Sequence, residues 1–187
     1  SAAEPTLAWL GEHSGAFFPL LGETIDLQQA PMVELSVEGS SLPQNPFSIK
    51  PHEAQQLIEP NLKLALGYYL EPRLVYTDKA FKNGPWPCSN RRTVHLGLDV
   101  FAPAGTALYA PLAATVEATD NRQANLDYGG VVILRHQTPQ GDEFYSLYGH
   151  LNPRLVAQLK VGQKLSAGEV FAQLGEPSHN GGWDPHV

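Results

Sequence analysis

The chain is organised around the octapeptide TVHLGLDV at residues 93–100. It places His95 four residues before Asp99, and such a pair can bind one zinc ion at about 2.0–2.2 Å. In a straight strand the two residues would lie about 13 Å apart, at roughly 3.3 Å per residue. The backbone must therefore bend between them, and Gly97 has the conformational freedom for a kink. The apolar flanks favour a bent strand over a helix.

Two histidines further along the chain extend this pair. His150 lies in the segment YGHL, and His186 lies in the final PHV. Histidine and aspartate are common zinc ligands, and histidine also serves as a general base. Together with His95 and Asp99, these residues predict a mononuclear zinc site.

Length and composition exclude several classes of protein. A chain of 187 residues, 42% hydrophobic and 17% charged, suits one globular domain with an appendage. A net charge of −7 argues against nucleic acid as a partner, because phosphate contacts need clustered Lys and Arg. The single cysteine, Cys88, excludes an intrachain disulfide and is expected to be an inert thiol. No apolar run approaches the roughly 20 residues of a membrane span. No signal peptide is visible, so we expect a cytosolic protein or a piece excised from a larger one.

The first 76 residues predict an N-terminal extension with a strand, then a helix and an extended segment. Apolar clusters in residues 1–50 are expected to pack aromatic side chains on a neighbouring surface. The alternation over residues 33–38 predicts a half-buried strand. Residues 51–66 have near-helical apolar spacing interrupted by Pro60, which predicts a kinked or divided helix. Residues 68–76 are expected to be extended.

The residues after Asp99 predict strands and turns. An apolar strand at residues 131–134, a turn at 138–142 and a strand at 144–148 form a hairpin that delivers His150 at its end. A short helix is expected at residues 155–160.

An internal similarity supports a β architecture. The segments GTALYA at residues 105–110 and GQKLSA at residues 162–167 share Gly, Leu and Ala at the same offsets. Two such units are too few for a solenoid. They fit two equivalent turns in a β sandwich or small barrel, each followed by a strand, at residues 115–118 and 170–174. Chance similarity is the alternative.

A known family has the same segments in the same order: HLGLDVFAPAGTALYAP, GGVVILRH, YGHL, VGQKLSAGEVFAQLG and NGGWDPH. Over roughly residues 91–187 the chain resembles the lysostaphin or LytM-type zinc endopeptidases, which cut peptide crosslinks of bacterial cell walls. The resemblance implies a mainly β protein with a peptide or peptidoglycan-like substrate. It implies an antiparallel β sandwich of the duplicated hybrid motif type at residues 73–187, preceded by an α/β extension at residues 1–72.

The same resemblance assigns roles residue by residue. The family motif H-x-x-x-D supplies two zinc ligands, which correspond to His95 and Asp99. His150 corresponds to one catalytic histidine, and His186 to the other, as the first His of an H-x-H motif. The third ligand is expected directly after Val187, where the sequence stops. We therefore expect one zinc ion in the intact domain, but weak or absent zinc binding and no peptidase activity in this chain.

Two other histidines and two arginines are expected to have mainly structural roles. His136 ends a predicted strand and is assigned a hydrogen bond there, and His179 belongs to a Gly-rich loop. Arg91 and Arg92 precede the octapeptide, so one of them is a candidate to hold a substrate carboxylate or to offset the aspartate. A solvated charge at a strand end is the ordinary outcome for both.

A second resemblance concerns the N-terminal half. GYYLEPRLVYT, at residues 67–77, together with the later motifs is similar to a peptidase-like segment of large proteins. Those proteins also contain a sugar-kinase-like or aminoglycoside-phosphotransferase-like domain and a class III aminotransferase. This resemblance implies an excised domain of a cytosolic multidomain enzyme, with neighbouring domains as partners. A periplasmic or extracellular location is the alternative for a mature fragment.

Two other function classes compete with the peptidase. The β domain could be a non-catalytic structural or binding module with a vestigial metal site. The segment VGQKLSAGEVFAQLG also resembles turns of phosphocarrier or lipoyl-type domains. That third hypothesis lacks a lysine-bearing hairpin tip, and phosphohistidine on His150 would support it.

Overall fold

The computed structural model describes residues 3–36, 63–85 and 90–187. The architecture is mainly β, as the sequence predicts, and most strand pairs are antiparallel. The sandwich arrangement and the duplicated hybrid motif stay predictions, as does a domain boundary between residues 72 and 73. Within the described residues, no helix is both long and apolar enough to cross a membrane.

The largest sheet has four antiparallel strands in the order β10-β7-β8-β9. Their bounds are Ala114–Arg122 for β7, Gly129–Gln137 for β8, Glu143–Leu151 for β9 and Lys164–Leu165 for β10. The predicted hairpin is confirmed, because β8 pairs with β9 from Gln137 opposite Glu143 to Gly130 opposite Leu151. The predicted turn closes through the Gly141 amide, which donates to the Thr138 carbonyl at 2.9 Å.

A second antiparallel pair consists of β6, Ala107–Tyr109, and β11, Val170–Gln173. The two similar segments begin alike, because Gly105 and Gly162 have φ of 82° and 86°, a conformation that favours glycine. The predicted helix at residues 155–160 is wrong in position. Helix α2 spans Pro153–Val156, and the Asn152 side chain caps it by accepting from the Arg154 amide.

The N-terminal residues combine a helix with short strands. Helix α1 spans Glu4–His13, with a proline in its first turn. Strand β1, Met32–Val33, lies parallel to β2, Ala65–Gly67, which pairs antiparallel with β5, Val100–Phe101. Strand β3, Glu71–Pro72, pairs with β4, Val94–His95.

Several predictions for this half need correction. The helix predicted at residues 51–66 falls largely outside the described residues. The end of that segment belongs to strand β2 instead, because pairing with β1 and β5 overrides the local apolar spacing. The segment at residues 68–76 is extended only at β3 and becomes a 3-10 helix at Leu74–Thr77. The alternation over residues 33–38 yields only strand β1, and residues 37 and 38 lie outside the described part.

The main core contains side chains from both halves of the chain. Leu21 is 3% exposed and belongs to the same cluster as Leu108 and Leu134 of the β domain. The rings of Phe18 and Tyr109 also meet, with centroids 5.4 Å apart. The expectation that the N-terminal aromatic residues pack on a neighbouring surface is therefore confirmed.

Candidate functional site

One cleft of about 450 Å³ collects all four residues that the sequence predicts for the site. His95, Asp99, His150 and His186 all line it. They come from separate parts of the fold: the end of β4, the residue that precedes β5, the end of β9 and the C-terminal segment. The fold therefore brings together residues that are up to 91 positions apart, from 95 to 186.

The bend predicted between His95 and Asp99 is confirmed. His95 Nε2 lies 3.4 Å from Asp99 Oδ1, instead of the distance that a straight strand would impose. The reason for Gly97 differs from the prediction, since its φ is not in the left-handed region. A Cβ at Gly97 would lie 3.0 Å from His95 Cε1, so glycine leaves room for the imidazole ring.

Asp99 is buried and paired with an arginine that sequence reasoning missed. Its side chain is 5% exposed, and its Oδ2 lies 2.6 Å from Arg73 Nη1. The same guanidinium bonds through Nε to Glu71 Oε2 at 2.9 Å. Glu71 in turn accepts the Leu35 amide through Oε1 at 2.6 Å. Arg73 therefore offsets Asp99, the role that the sequence had offered to Arg91 or Arg92.

This environment sets the charges of the His95 and Asp99 pair. Burial by itself would raise the pKa of Asp99, but His186, Arg73 and His95 outweigh it and hold that pKa below its usual value. Burial lowers the pKa of His95 to about 4, despite the opposing charge of Asp99. At neutral pH the pair is thus a neutral imidazole beside a carboxylate, which are the forms that bind metal ions.

His150 is aimed into the cleft by a β-bulge. Between the pairs Gly130–Leu151 and Val132–Tyr148, two residues of β9 face one residue of β8. His150 is the second of these two and has φ of 59°, an uncommon conformation for a residue with a side chain. Its amide donates to the Tyr128 carbonyl at 2.7 Å, which helps to hold this conformation.

Hydrogen bonds fix the orientation of both later imidazoles. His150 Nδ1 lies 3.1 Å from the Asn180 carbonyl, and His186 Nδ1 lies 2.6 Å from the Asp184 carbonyl. Because a carbonyl only accepts, each Nδ1 carries a proton and each neutral ring keeps its lone pair at Nε2. Burial, followed by the nearby His186, lowers the pKa of His150 well below its usual value.

The two imidazoles form a second pair beside the first. Their ring centroids lie 4.1 Å apart, and His186 also packs on Phe101 at 5.0 Å. His186 Nε2 lies 3.9 Å from Asp99 Oδ1. The side chains predicted as ligands and those predicted as catalytic are thus neighbours.

A tight loop next to His150 supports its position. Asn180 is fully buried, and its side chain bonds both the amide and the carbonyl of Trp183 at 3.0 Å. Gly129 and Gly181 allow this loop to approach, since a Cβ at either would lie within 2.4 Å of a carbonyl oxygen across the contact. No sequence motif singled out Asn180, although its NGGW segment is part of the family resemblance.

The pair His95 and Asp99 fits two ligands of one metal ion. Two ligand atoms that bind a tetrahedral ion at about 2.0–2.1 Å stand about 3.3–3.4 Å apart, which is close to the 3.4 Å between Nε2 and Oδ1. Among the residues that the structure describes, no group of three or more His, Cys, Asp or Glu is arranged to hold a metal ion. The geometry thus accommodates a metal at this pair without showing a complete site.

Of the other histidines and arginines considered from the sequence, only one lines the cleft. His136 is buried within the large sheet and bonds the Ala113 carbonyl and Ser146 Oγ, as expected of a structural histidine. His179 does not line the cleft. Arg91 bonds the Thr77 carbonyl, whereas Arg92 lines the cleft with Tyr76, Tyr128 and Trp183.

A family model for peptidase family M23 matches residues 93–187, just over half of the chain. The chain belongs to peptidase family M23. The predicted resemblance to the lysostaphin and LytM type is thereby confirmed, and the M23 segment contains His95, Asp99, His150 and His186.

The M23 segment is also similar to individual proteins. It is 32% identical over 89 residues to peptidoglycan DD-endopeptidase ShyC of Vibrio cholerae serotype O1, covering 48% of this chain and 18% of that protein. The chain therefore spans less than a fifth of this curated relative. Membership in family M23 supports a peptidase function.

Two solved structures are similar to the chain at lower sequence identity. A zinc containing peptidase from Vibrio cholerae has 23% identity and a TM-score of 0.40, with 58% of this chain and 32% of that chain covered. A peptidase M23 from Pseudomonas aeruginosa has 26% identity and a TM-score of 0.37, with 69% and 44% covered.

Proposed function

We propose that this chain is the peptidase part of a zinc-dependent endopeptidase that hydrolyses peptide bonds with a metal-activated water. The observation that carries the proposal is that the His95 and Asp99 pair and the His150 and His186 pair line one cleft. Membership in family M23 supports the same chemistry.

His95 and Asp99 are the proposed zinc ligands. A bound zinc ion would supply an acidified water, with a pKa near 7, and would polarise the substrate carbonyl. His95 contributes a neutral ring, because its pKa is lowered to about 4. Asp99 contributes Oδ1, while Oδ2 is engaged by Arg73.

His150 and His186 are the proposed catalytic pair. The Asn180 carbonyl holds His150 in the tautomer whose Nε2 can accept a proton from the attacking water. After that transfer, the protonated ring can return the proton to the leaving amine. His186 lies beside it and is held through Nδ1 by the Asp184 carbonyl, so it can donate from Nε2 to the oxygen that gains negative charge only when its ring carries a second proton.

The proposed substrate is a crosslinking peptide of the peptidoglycan type. The support is the similarity to ShyC, whose name describes a peptidoglycan DD-endopeptidase. Association with kinase-like and aminotransferase domains stays a prediction, as does a cytosolic location.

Zinc binding by these residues alone is proposed to be weak. His95 and Asp99 supply two ligands, whereas catalytic zinc sites ordinarily use three from the protein. For the 187-residue chain we therefore propose loosely held zinc and no measurable peptidase activity. Stoichiometric, tightly bound zinc in this chain would contradict that statement.

The test separates metal binding from catalysis. Zinc affinity is measured by calorimetry on the chain and on His95→Ala, His150→Ala and, as a control, His13→Ala, whose ring is exposed on α1. We expect His95→Ala to abolish zinc binding and the other two to preserve it. Hydrolysis of crosslinked peptidoglycan peptides is then measured on the natural gene product. Both His95→Ala and His150→Ala should abolish hydrolysis, and full activity of either variant would refute the assignment.

A non-catalytic binding module is the second candidate. It is favoured by the absence, within the described ranges, of any group of three or more metal-ligating side chains with metal-site geometry. The two candidates differ in the hydrolysis assay, because a binding module retains peptide in the cleft without cleaving it.

A further inference from the structure

The wall of the cleft holds an arginine that the proposed mechanism does not use. Arg92 is partly buried, and its Cζ lies 4.6 Å from the centroid of the Tyr76 ring. Its Nε donates to the Val94 carbonyl at 3.3 Å, and its Nη1 donates to the Tyr128 hydroxyl at 3.4 Å. The guanidinium is therefore oriented by one ring face and two oxygen acceptors.

The charge of Arg92 is not offset by a described carboxylate. The other arginines that line the cleft have acidic partners: Arg73 pairs with Glu71 and Asp99, and Arg122 pairs with Asp120. The contacts of Arg92 within the described residues are to neutral groups.

Besides Asp99, one other acidic residue among those described lines the cleft, and it has a backbone partner. This residue is Asp127, whose Oδ1 accepts the Tyr128 amide at 2.8 Å. Arg92 thus has an aromatic support and a net positive charge in a cleft that also contains the proposed catalytic histidines.

We propose that Arg92 is a carboxylate-binding subsite, so that the preferred peptide carries a carboxylate close to the bond presented to the histidines. A planar guanidinium binds a carboxylate through two parallel hydrogen bonds, and stacking on an aromatic ring keeps it oriented for this contact. The carboxylate is either the free C-terminus of the peptide or an acidic side chain. The inference rests on the proposed function, because it assumes a peptide in the cleft.

The test measures binding, which does not require cleavage. Dissociation constants are determined by calorimetry for acetyl-Ala-Ala-Ala, for its C-terminal amide, and for the amide of acetyl-Ala-Glu-Ala. We expect one or both carboxylate peptides to bind about tenfold more tightly than the uncharged amide. Preference for the first peptide identifies a terminal carboxylate, and preference for the third identifies a side chain. Equal affinity for all three overturns the subsite.

Variants connect the preference to Arg92. Arg92→Met should remove it, and Arg92→Lys should retain a few-fold preference because it keeps the charge without the bidentate geometry. Arg91→Met is the matched control, since Arg91 is adjacent but bonds the Thr77 carbonyl outside the cleft. A tenfold preference that persists in Arg92→Met would also overturn the proposal. The two proposals can fail separately. If the gene product hydrolyses no peptide but still binds carboxylate peptides more tightly, only the peptidase proposal is refuted. If it hydrolyses peptides but shows no preference for a carboxylate, only the subsite proposal is refuted.

Discussion

Arg73 Nη1 lies 2.6 Å from Asp99 Oδ2, and both side chains are about 5% exposed. The guanidinium also bonds Glu71, so one cation lies between two carboxylates in the interior. Such a group is stable only as a set, because each charge left alone would bear the cost of lost hydration. The site therefore depends on a residue outside the segment that matches family M23.

Replacing Arg73 should be strongly destabilising. Arg73→Met leaves Glu71 and Asp99 buried without a cation, and we expect a loss of about 3–5 kcal/mol in the free energy of unfolding. Urea denaturation measures the loss. The control is Arg122→Met, whose pair with Asp120 is 58% exposed, so its removal should cost far less than the loss of Arg73, because solvent screens an exposed pair. Equal effects of the two substitutions would show that the buried pair contributes little.

The contact between Gly129 and the loop at His179 should not tolerate a methyl group. Gly129 has φ of 61°, and its Cβ would lie 2.4 Å from the His179 carbonyl oxygen. Gly141 has φ of 96° but nothing within 4 Å, so Gly141→Ala measures the backbone cost alone, about 1–2 kcal/mol. We expect Gly129→Ala to cost about 1–3 kcal/mol more in urea denaturation. A smaller loss than for Gly141→Ala would be inconsistent with the steric argument.

His136 should make stability depend on pH. Burial lowers its pKa below the usual value of about 6.5, so the unfolded chain binds this proton first as the pH falls. The neutral His136 ring therefore adds to the free energy of unfolding, and this contribution is complete above about pH 6.5. It is lost as the pH falls through the lower pKa that His136 has in the folded protein. His136→Gln removes this term, so the stability difference between wild type and variant should be larger at pH 8 than at pH 5. The pKa values of His95 and His150 are also lowered, so the variant itself keeps a pH dependence. A difference that grows toward pH 5 would contradict the assignment.

The N-terminal extension should contribute to the stability of the β domain. Leu21 is 3% exposed within the main core, so Leu21→Ala should cost about 2–5 kcal/mol. Leu7 on α1 is 64% exposed, and Leu7→Ala should change stability by no more than about 0.5 kcal/mol. Thermal unfolding of both variants compares the two sites. A small effect at Leu21 would favour an extension that folds independently, as a boundary at residue 72 predicts.

Local patterns predicted the parts of the fold that local interactions determine. The hairpin of β8 and β9 follows from a continuous apolar run at residues 131–134 and a turn at residues 138–142, and its end delivers His150. The pairing of His95 with Asp99 follows from their spacing and from the requirement for a bend. His186 was singled out with His150 as a histidine that follows this pair, its catalytic role came from the family resemblance, and the cleft contains it.

The missed features depend on contacts between distant residues. No spacing connects Arg73 with Asp99, because β3 reaches the site only by pairing with β4. Strand β2 was interpreted as the end of a helix because its apolar residues fit both periods, and only its partners decide between them. The positive φ of His150 arises from a bulge, which is visible only in the register of two strands.

The hydrogen bond between the Leu35 amide and Glu71 has a consequence for any attempt to shorten the protein. A fragment trimmed to the family match at residues 93–187 would keep Asp99 but lose its guanidinium partner. The aspartate would then gain a proton more readily, and zinc would compete with that proton for the same oxygen. The charge state of Asp99 therefore depends partly on residues that precede the segment matching family M23.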